Sequence, residues 1–331
     1  MVLLGAAFPA TGATSRADDA SALAELGVGA VRLPLAWHRL QPRAGELDGG
    51  AAEAVAGLLD DFAAAGIGVW ACLLELDPPG WFLDEGGFGD DRTAARRWPR
   101  YVDQVAERFG DRLAGWVPLA DPVSLAERWE PVEGSRQATM HRRLLAAWRD
   151  AWLVLRGGPP VATLLRLAVV PMPADDVPGL QRARRVDHLR WRTWPRALRD
   201  GTVVVPGLPD LELEALAGAT DVLGAAVSCD DGAVPERWAE QLGSMVRRVA
   251  EEGPDRPLHL TVGLPAADEQ HRAALVDASV EAVRSAVHDG VRIEAVVVSP
   301  AVGSADTGAL VDADREAQPV ADRWRTLLPP S

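Results

Sequence analysis

Residues 26–42 read LGVGAVRLPLAWHRLQP. A glycine-containing turn leads there into Ala30–Leu35, a run built mainly from Val, Leu and Ala without regular polar alternation. Such a run is typical of a strand that is covered on both faces of a parallel sheet. Amphipathic stretches, Asp18–Leu26 and Ala51–Ala65, flank it, with apolar residues at spacings of three and four. This segment therefore predicts one helix–strand–helix unit of an α/β protein.

The same unit recurs along the whole chain. The predicted strands are Val2–Ala7, Ala30–Leu35, Val69–Leu74, Gly115–Leu119, Ala162–Val170, Asp221–Val227, Leu258–Val262 and Ala295–Ser299. The predicted helices are Asp18–Leu26, Ala51–Ala65, Thr93–Phe109, Gln137–Leu155, Leu180–Leu198, Pro235–Glu252, Asp268–His288 and Asp314–Leu327. Eight such pairs predict a single (β/α)8 TIM barrel with short loops that spans residues 1–331. In this fold the chemistry lies at the C-terminal ends of the strands.

Composition excludes several classes of partner. The formal net charge of −14 would repel nucleic-acid phosphates and anionic membrane surfaces. The opening residues, 1–7, are apolar but lack a basic flank, and we interpret them as the first strand rather than a signal peptide. A cytoplasmic protein with a small-molecule ligand is expected, while nothing in the sequence addresses its oligomeric state.

The histidines show no metal-ligand spacing. The helical ones, His141, His188, His271 and His288, are not paired at four residues with a carboxylate. The glycine pairs Gly49-Gly50 and Gly157-Gly158 are typical of turns, not of a phosphate-binding loop. We therefore expect neither a metal nor a cofactor.

Several segments carry a more specific signal. Residues 26–42 resemble the second-strand segment of the family 1 glycoside hydrolases, the β-glucosidase family, which reads Arg-Phe-Ser…Trp-Ser-Arg-(Ile/Leu)-x-Pro. Residues 66–79 are similar to its third strand, residues 116–122 (WVPLADP) to its Trp-(Ile/Val)-Thr-x-Asn-Glu-Pro, and residues 260–263 (LTVG) to its Thr-Glu-Asn-Gly. These anchors follow the family's order over nearly the whole chain, so the resemblance implies a TIM barrel with glycosidase ancestry.

The resemblance also implies which residues would carry chemistry. Asp121 falls at the family's acid/base Glu, on a stem one methylene shorter, and Val262 falls at the nucleophile Glu. Retaining glycosidases need both carboxylates, so their standard hydrolysis is not expected here. Glu75 stands where the family has His, at the end of strand 3 beside Asp121 at the end of strand 4. These two carboxylates are the candidate catalytic acid and base, although two solvated rim carboxylates would fit the pattern equally well.

Other matched positions are candidates for substrate contact. Arg32 corresponds to the Arg beside the family's nucleophile, and it fits either a functional role or a salt bridge between strands. Trp37 and Trp81 could line an apolar pocket, although most Trp residues in a barrel of this size belong to the core. Asp77 has a family counterpart and is better explained as structural. Val262 itself would leave an apolar wall.

Three functions are consistent with these residues. The first is an enzyme repurposed for acid–base chemistry, such as isomerisation, cyclisation or elimination, on a less polar small molecule, in a biosynthetic setting. The second is a non-catalytic pseudo-glycosidase that binds a ligand or partner. The third is residual glycoside hydrolysis by a non-standard mechanism, with Asp121 and Glu75 separated by a water.

Overall fold

The computed structural model describes residues 2–8, 17–75, 77–173, 175–230, 232–265, 268–303 and 309–328. The eight strands of its main sheet are β1 (Leu3–Ala7), β2 (Ala30–Pro34), β3 (Gly68–Leu74), β4 (Gly115–Leu119), β5 (Leu165–Leu167), β6 (Leu223–Ser228), β7 (Leu258–Gly263) and β8 (Ile293–Ser299). Each lies on one of the predicted strands. Two further strands, Thr202–Val203 and Leu211–Glu212, form a small antiparallel pair.

The strands close into a barrel. All neighbouring pairs are parallel, in the order β4-β3-β2-β1-β8-β7-β6-β5. The last seam, between β4 and the chain leading into β5, is made by Trp116, whose N–H donates to Pro160 O and whose carbonyl accepts from Ala162 N, both at 2.8 Å. The predicted TIM barrel is confirmed. The predicted fifth strand, Ala162–Val170, is regular only over Leu165–Leu167, and a single bridge at Ala162 stands at its beginning.

Helices surround this barrel. They are α1 (Ala17–Glu25), α2 (Trp37–Leu40), α3 (Gly49–Ala64), α4 (Gly80–Asp84), α5 (Asp91–Phe109), α6 (Pro122–Trp129), α7 (Ser135–Leu155), α8 (Val177–His188), α9 (Trp194–Asp200), α10 (Pro235–Glu252), α11 (Glu269–His288) and α12 (Pro319–Arg325). Within the described ranges, none of them is both long and apolar enough to cross a membrane.

One predicted helix is interrupted. The stretch Leu180–Leu198 forms α8, then a π-helical turn over Leu189–Thr193, then α9. Pro195 lies at the start of α9, and because proline has no N–H it cannot continue the hydrogen-bond ladder of the preceding turns. The shorter α2, α4 and α6 follow β2, β3 and β4 directly, so they stand beside the C-terminal mouth of the barrel.

Two apolar layers hold the fold. The larger one packs the strands against the helices, and a smaller one fills the barrel interior around Cys72, Val117 and Leu164. Trp70 occupies part of that interior, and Gly115 on the neighbouring strand makes room for it. A Cβ at Gly115 would lie 2.3 Å from the Trp70 ring, so only glycine fits there.

Candidate functional site

A cavity of about 430 Å³ opens at the C-terminal ends of the strands. Its lining comes from the ends of the seven strands β2 to β8 and the segments that follow them. The lining residues are Arg32, Glu75, Ala120, Asp121, Ser124, Leu125, Arg128, Leu164, Arg166, Ala226, Val227, Ser228, Thr261, Gly263, Leu264 and Ser299. The cavity lies where TIM barrels place their chemistry, and it brings together three of the predicted site residues, Arg32, Glu75 and Asp121.

Arg32 lies deepest among the charged groups. Its Nη1 donates to the hydroxyl of Thr261 at 2.9 Å, while its Nε is buried without a hydrogen-bond partner among the described residues. Burial lowers the pKa of Arg32, the carboxylate of Glu75 opposes that change, and the charge of Arg166 adds to it. Glu75 is therefore a carboxylate whose charge acts on Arg32, and both residues line the cavity.

Asp121 is held from two sides. Its backbone adopts a left-handed conformation, with φ of 45°, and its Oδ1 accepts the N–H of Ser124 at 3.3 Å as the N-cap of α6. Its Oδ2 lies 3.2 Å from Nε of Arg166. Both carboxylate oxygens are thus engaged, in contacts that order the start of α6 and tie it to β5.

Asp77 stands just outside the cavity. Its carboxylate lies 3.9 Å from Nη1 of Arg128, and both side chains are largely exposed. The distance and exposure make this a weak ion pair. Asp77 is thus not part of the cavity lining, and it contacts the cavity residue Arg128 only through this pair among the described residues.

The two predicted tryptophans do not line the cavity. Trp37 is buried, stacks on Tyr101 with ring centroids 4.5 Å apart, and donates from Nε1 to Gln41. Trp81 donates to the carbonyl of Gln41 and meets the edge of the Trp37 ring. These contacts place both rings in the packing between α2, α4 and α5, because the segment after β2 turns outward over the helices. Their placement supports the core interpretation rather than the predicted substrate contact.

Replacing Trp37 with phenylalanine tests this structural role. We expect Trp37→Phe to lower the free energy of unfolding by about 1–2 kcal/mol, through the lost Nε1 hydrogen bond and the smaller ring. Ligand binding at the cavity should be unchanged. Chemical denaturation measures the first quantity. If the variant instead has normal stability and binds the ligand more weakly, Trp37 contacts the ligand.

Val262 is also absent from the cavity lining. Its side chain is fully buried in the layer between strands and helices, whereas its neighbours on β7, Thr261 and Gly263, face the cavity. Successive side chains of a strand point to opposite faces, so one position separates a cavity wall from the core. The structure thus does not bring Val262 to the predicted substrate contact, and Thr261 and Gly263 hold that part of the wall.

Sequence reasoning missed Arg166 and Arg128. Arg166 is a charged residue inside the apolar run Ala162–Val170, near the C-terminal end of a strand, and that position was the available signal, since such residues face the barrel mouth. Arg128 lies in the last turn of α6, where it reads as an ordinary helix-surface residue. The hydroxyl groups of Ser124 and Ser228 gave no signal.

The cavity combines few acids with several hydrogen-bond donors. Among its described lining residues the acidic side chains are Glu75 and Asp121, from neighbouring strand ends, and the basic ones are Arg32, Arg128 and Arg166. A carboxylate beside a guanidinium can accept a proton while the cation stabilises negative charge that develops nearby. The arrangement is therefore chemically competent for proton transfer on a bound small molecule.

Comparison with known proteins supports a relationship in the N-terminal part. Residues 14–129 match the family model described as Glycosyl hydrolase family 1. Lactase/phlorizin hydrolase from Rattus norvegicus is 30% identical over 112 residues, which are 33% of this chain and 6% of that protein. Matches to plant and bacterial β-glucosidases likewise cover less than a quarter of those proteins. The resemblance inferred from the motifs is confirmed over residues 14–129.

Solved structures show the same fold over nearly the whole chain. A beta-glycosidase from Pyrococcus horikoshii superposes with a TM-score of 0.77 at 17% identity, covering 94% of this chain and 84% of the other. A beta-glucosidase from Thermotoga maritima in complex with glucoimidazole gives 0.77 at 16% identity, covering 93% and 84%. At this identity the likeness extends to the barrel alone.

Proposed function

We propose that this chain, a relative of glycosyl hydrolase family 1 that keeps the family's barrel, binds a small molecule in the mouth cavity and performs acid–base chemistry on it. The reaction class would be isomerisation, cyclisation or elimination rather than retaining hydrolysis of a glycoside. The observation that carries the proposal is the distribution of acids around the cavity. Glu75 and Asp121 follow the adjacent strands β3 and β4, while the end of β7 presents Thr261, Gly263 and Leu264.

Retaining hydrolysis requires two carboxylates that flank the scissile bond roughly 5 Å apart. One attacks the anomeric carbon from the face opposite the leaving group. A carboxylate at the tip of β7 would be needed for that approach, and the side chains facing the cavity there have no nucleophilic carboxylate. Placement of both acids on neighbouring strands instead favours proton removal and return on one side of a ligand.

We assign the proton transfer to Glu75. Its carboxylate would remove a proton from the ligand and later return it, while Arg32 would stabilise the negative charge on the ligand in between. Asp121 would assist from its fixed position at the start of α6. The cavity lining also contains Leu125, Leu164 and Leu264, which suits a ligand whose body is less polar than a sugar.

Deuterium uptake tests this function across a range of candidate substrates. A panel of small carbonyl and hydroxy compounds is incubated with the protein in D2O and followed by mass spectrometry, because proton abstraction and return leave deuterium on carbon. Elimination shows loss of the leaving group, and hydrolysis shows gain of water. We expect Glu75→Gln to reduce uptake or elimination by roughly 10²–10⁴-fold. Glu53→Gln, an exposed Glu on α3, is the matched control.

Aryl glycosides test for the competing activity, hydrolysis of a glycoside. Nitrophenyl β-glycosides should release no nitrophenol above background with the unaltered protein. Release that depends on Asp121 and Glu75 would contradict the proposal and establish residual glycoside hydrolysis by a non-standard route. If Glu75→Gln turns over a compound as fast as the unaltered protein does, Glu75 has no part in the mechanism.

Non-catalytic binding is the second candidate. The engagement of both Asp121 oxygens, by the helix cap and by Arg166, favours it, since an acid occupied in structure is less available for proton transfer. A binding protein would be stabilised by its ligand and return it unchanged. Recovery of the ligand without deuterium, together with a raised Tm, would select this function over the enzymatic one.

A further inference from the structure

We propose that the ligand of the mouth cavity carries an oxyanion, a carboxylate or a phosphate monoester, which is held between Arg166 and Arg32. This inference rests on the proposed function only in taking the cavity as a ligand site. It adds the chemical class of the ligand. It rests on guanidinium donors that face the cavity and have no hydrogen-bond acceptor among the described residues.

Arg166 provides the more accessible donors. Its Nε is used by Asp121, but its two terminal amino groups make no hydrogen bond to any residue in the described ranges. The side chain is 58% exposed and lines the cavity. A guanidinium held by one edge presents its other edge in a fixed fork, which is the geometry that carboxylates and phosphates accept in two parallel hydrogen bonds.

Arg32 provides the deeper donor. Its Nη1 is satisfied by Thr261, yet its buried Nε has no partner among the described residues. A buried donor without a partner is costly, and a ligand oxygen would remove that cost. The charge of Arg166 lowers the pKa of Arg32, after burial itself. The two cations therefore act on each other across the cavity, and an anion between them would offset the repulsion.

The rest of the wall agrees with an anion. Arg128 adds a third guanidinium, which is held only loosely by Asp77 at 3.9 Å. The lining thus contains three guanidinium groups against two carboxylates, in a chain whose net charge is −14. The protein as a whole repels anions, whereas this cavity is locally positive. An anion is therefore expected to bind at the cavity and not over the surface in general. The cavity volume of about 430 Å³ fits a small molecule.

Matched pairs of probes test the charge requirement. The probes are benzoate against benzamide and phenyl phosphate against phenol, measured by thermal shift and by titration calorimetry on the full chain. We expect at least one anion to raise Tm with concentration while its neutral partner does not. Benzoate binding alone would identify a carboxylate, and phenyl phosphate binding alone would identify a phosphate monoester.

Variants locate the binding. Arg166→Gln should weaken binding of the anion by about tenfold or more, because hydrogen bonds between charged groups are lost. Arg128→Gln leaves the contacts of Asp121 unchanged and should weaken binding of the anion less than Arg166→Gln does. Arg199→Gln, which breaks an exposed pair with Asp200 on α9, is the matched control. Both Arg166 and Arg128 are largely exposed, so these variants should fold.

Two results would overturn the inference. One is binding of the neutral probes as tightly as the anions, and the other is equal anion affinity for Arg166→Gln and the unaltered protein. Neither depends on turnover. The deuterium experiment can fail while the anion still binds at Arg166, and anion binding can fail while Glu75 still catalyses exchange on a neutral ligand.

Discussion

Val262→Glu is expected to lower the free energy of unfolding by roughly 3–5 kcal/mol, because it leaves an uncompensated charge in the core. Val262 is fully buried and pairs in register with Val227 and Val298, both buried as well. Their layer packs strands against helices, where a carboxylate would be buried among apolar side chains. Restoring the family's acid at the aligned position should therefore damage the fold without creating a glycosidase.

Thr261→Glu is the matched control for that variant. Thr261 lines the cavity and accepts from Arg32 at 2.9 Å, so a carboxylate there would have both space and a cationic partner. Denaturation curves should show a much smaller loss of stability. If Val262→Glu instead folds normally and hydrolyses an aryl glucoside, the side-chain direction on β7 is the reverse of the one described.

Stability should fall steeply as the pH decreases from about 6.5 towards 4. Burial lowers the pKa of His141 and of His259 to about 4 from an ordinary 6.5. In that interval the unfolded chain binds protons that the folded protein does not, so the free energy of unfolding decreases as pH falls. The difference in pKa corresponds to about 3 kcal/mol for each histidine. Above pH 6.5 this contribution should be constant.

The two histidines lie in different surroundings. His141 on α7 is fully buried, its ring nitrogens have no hydrogen-bond partner among the described residues, and the charge of Arg190 further disfavours its protonation. His259 lies inside the barrel with its ring 4.8 Å from that of Trp70. Burial therefore disfavours the charged imidazolium at both positions.

Urea denaturation at several pH values measures the effect. His141→Leu and His259→Leu should each remove part of the slope between pH 6.5 and 4, and the double variant should remove most of it. His288→Gln is the control, because His288 is exposed and should leave the slope unchanged. A slope that survives the double variant would mean that carboxylates, not these histidines, control acid unfolding.

The sequence predicts most of the barrel and only part of the site. Continuous apolar runs such as Val69–Leu74 identify strands because both faces of a parallel sheet are covered. Glu75 and Asp121 could be chosen because polar residues one or two positions after such a run are expected at the mouth. Trp37 also lies two positions after its predicted strand, but it could not be placed the same way, since the path of α2 depends on packing against α4 and α5.

The direction of side chains near the strand ends could not be predicted from the sequence. Alignment of a short motif can shift by one residue, and in a strand one residue exchanges the two faces. Thr261 and Val262 differ by that single step, yet one lines the cavity and the other lies in the core. Arg166 was missed for a related reason, because its partner Asp121 is distant in the chain and the two meet only when β4 and β5 become neighbours.

Local apolar periodicity determined this protein's elements, their alternation and hence the closed barrel, because each element's pattern reflects the surfaces it must bury. Tertiary structure alone decided which charges converge at the mouth. Arg32, Glu75, Asp121 and Arg166 come from four different strand ends, and electrostatic contact depends on their separation in space, which no local pattern of the chain records.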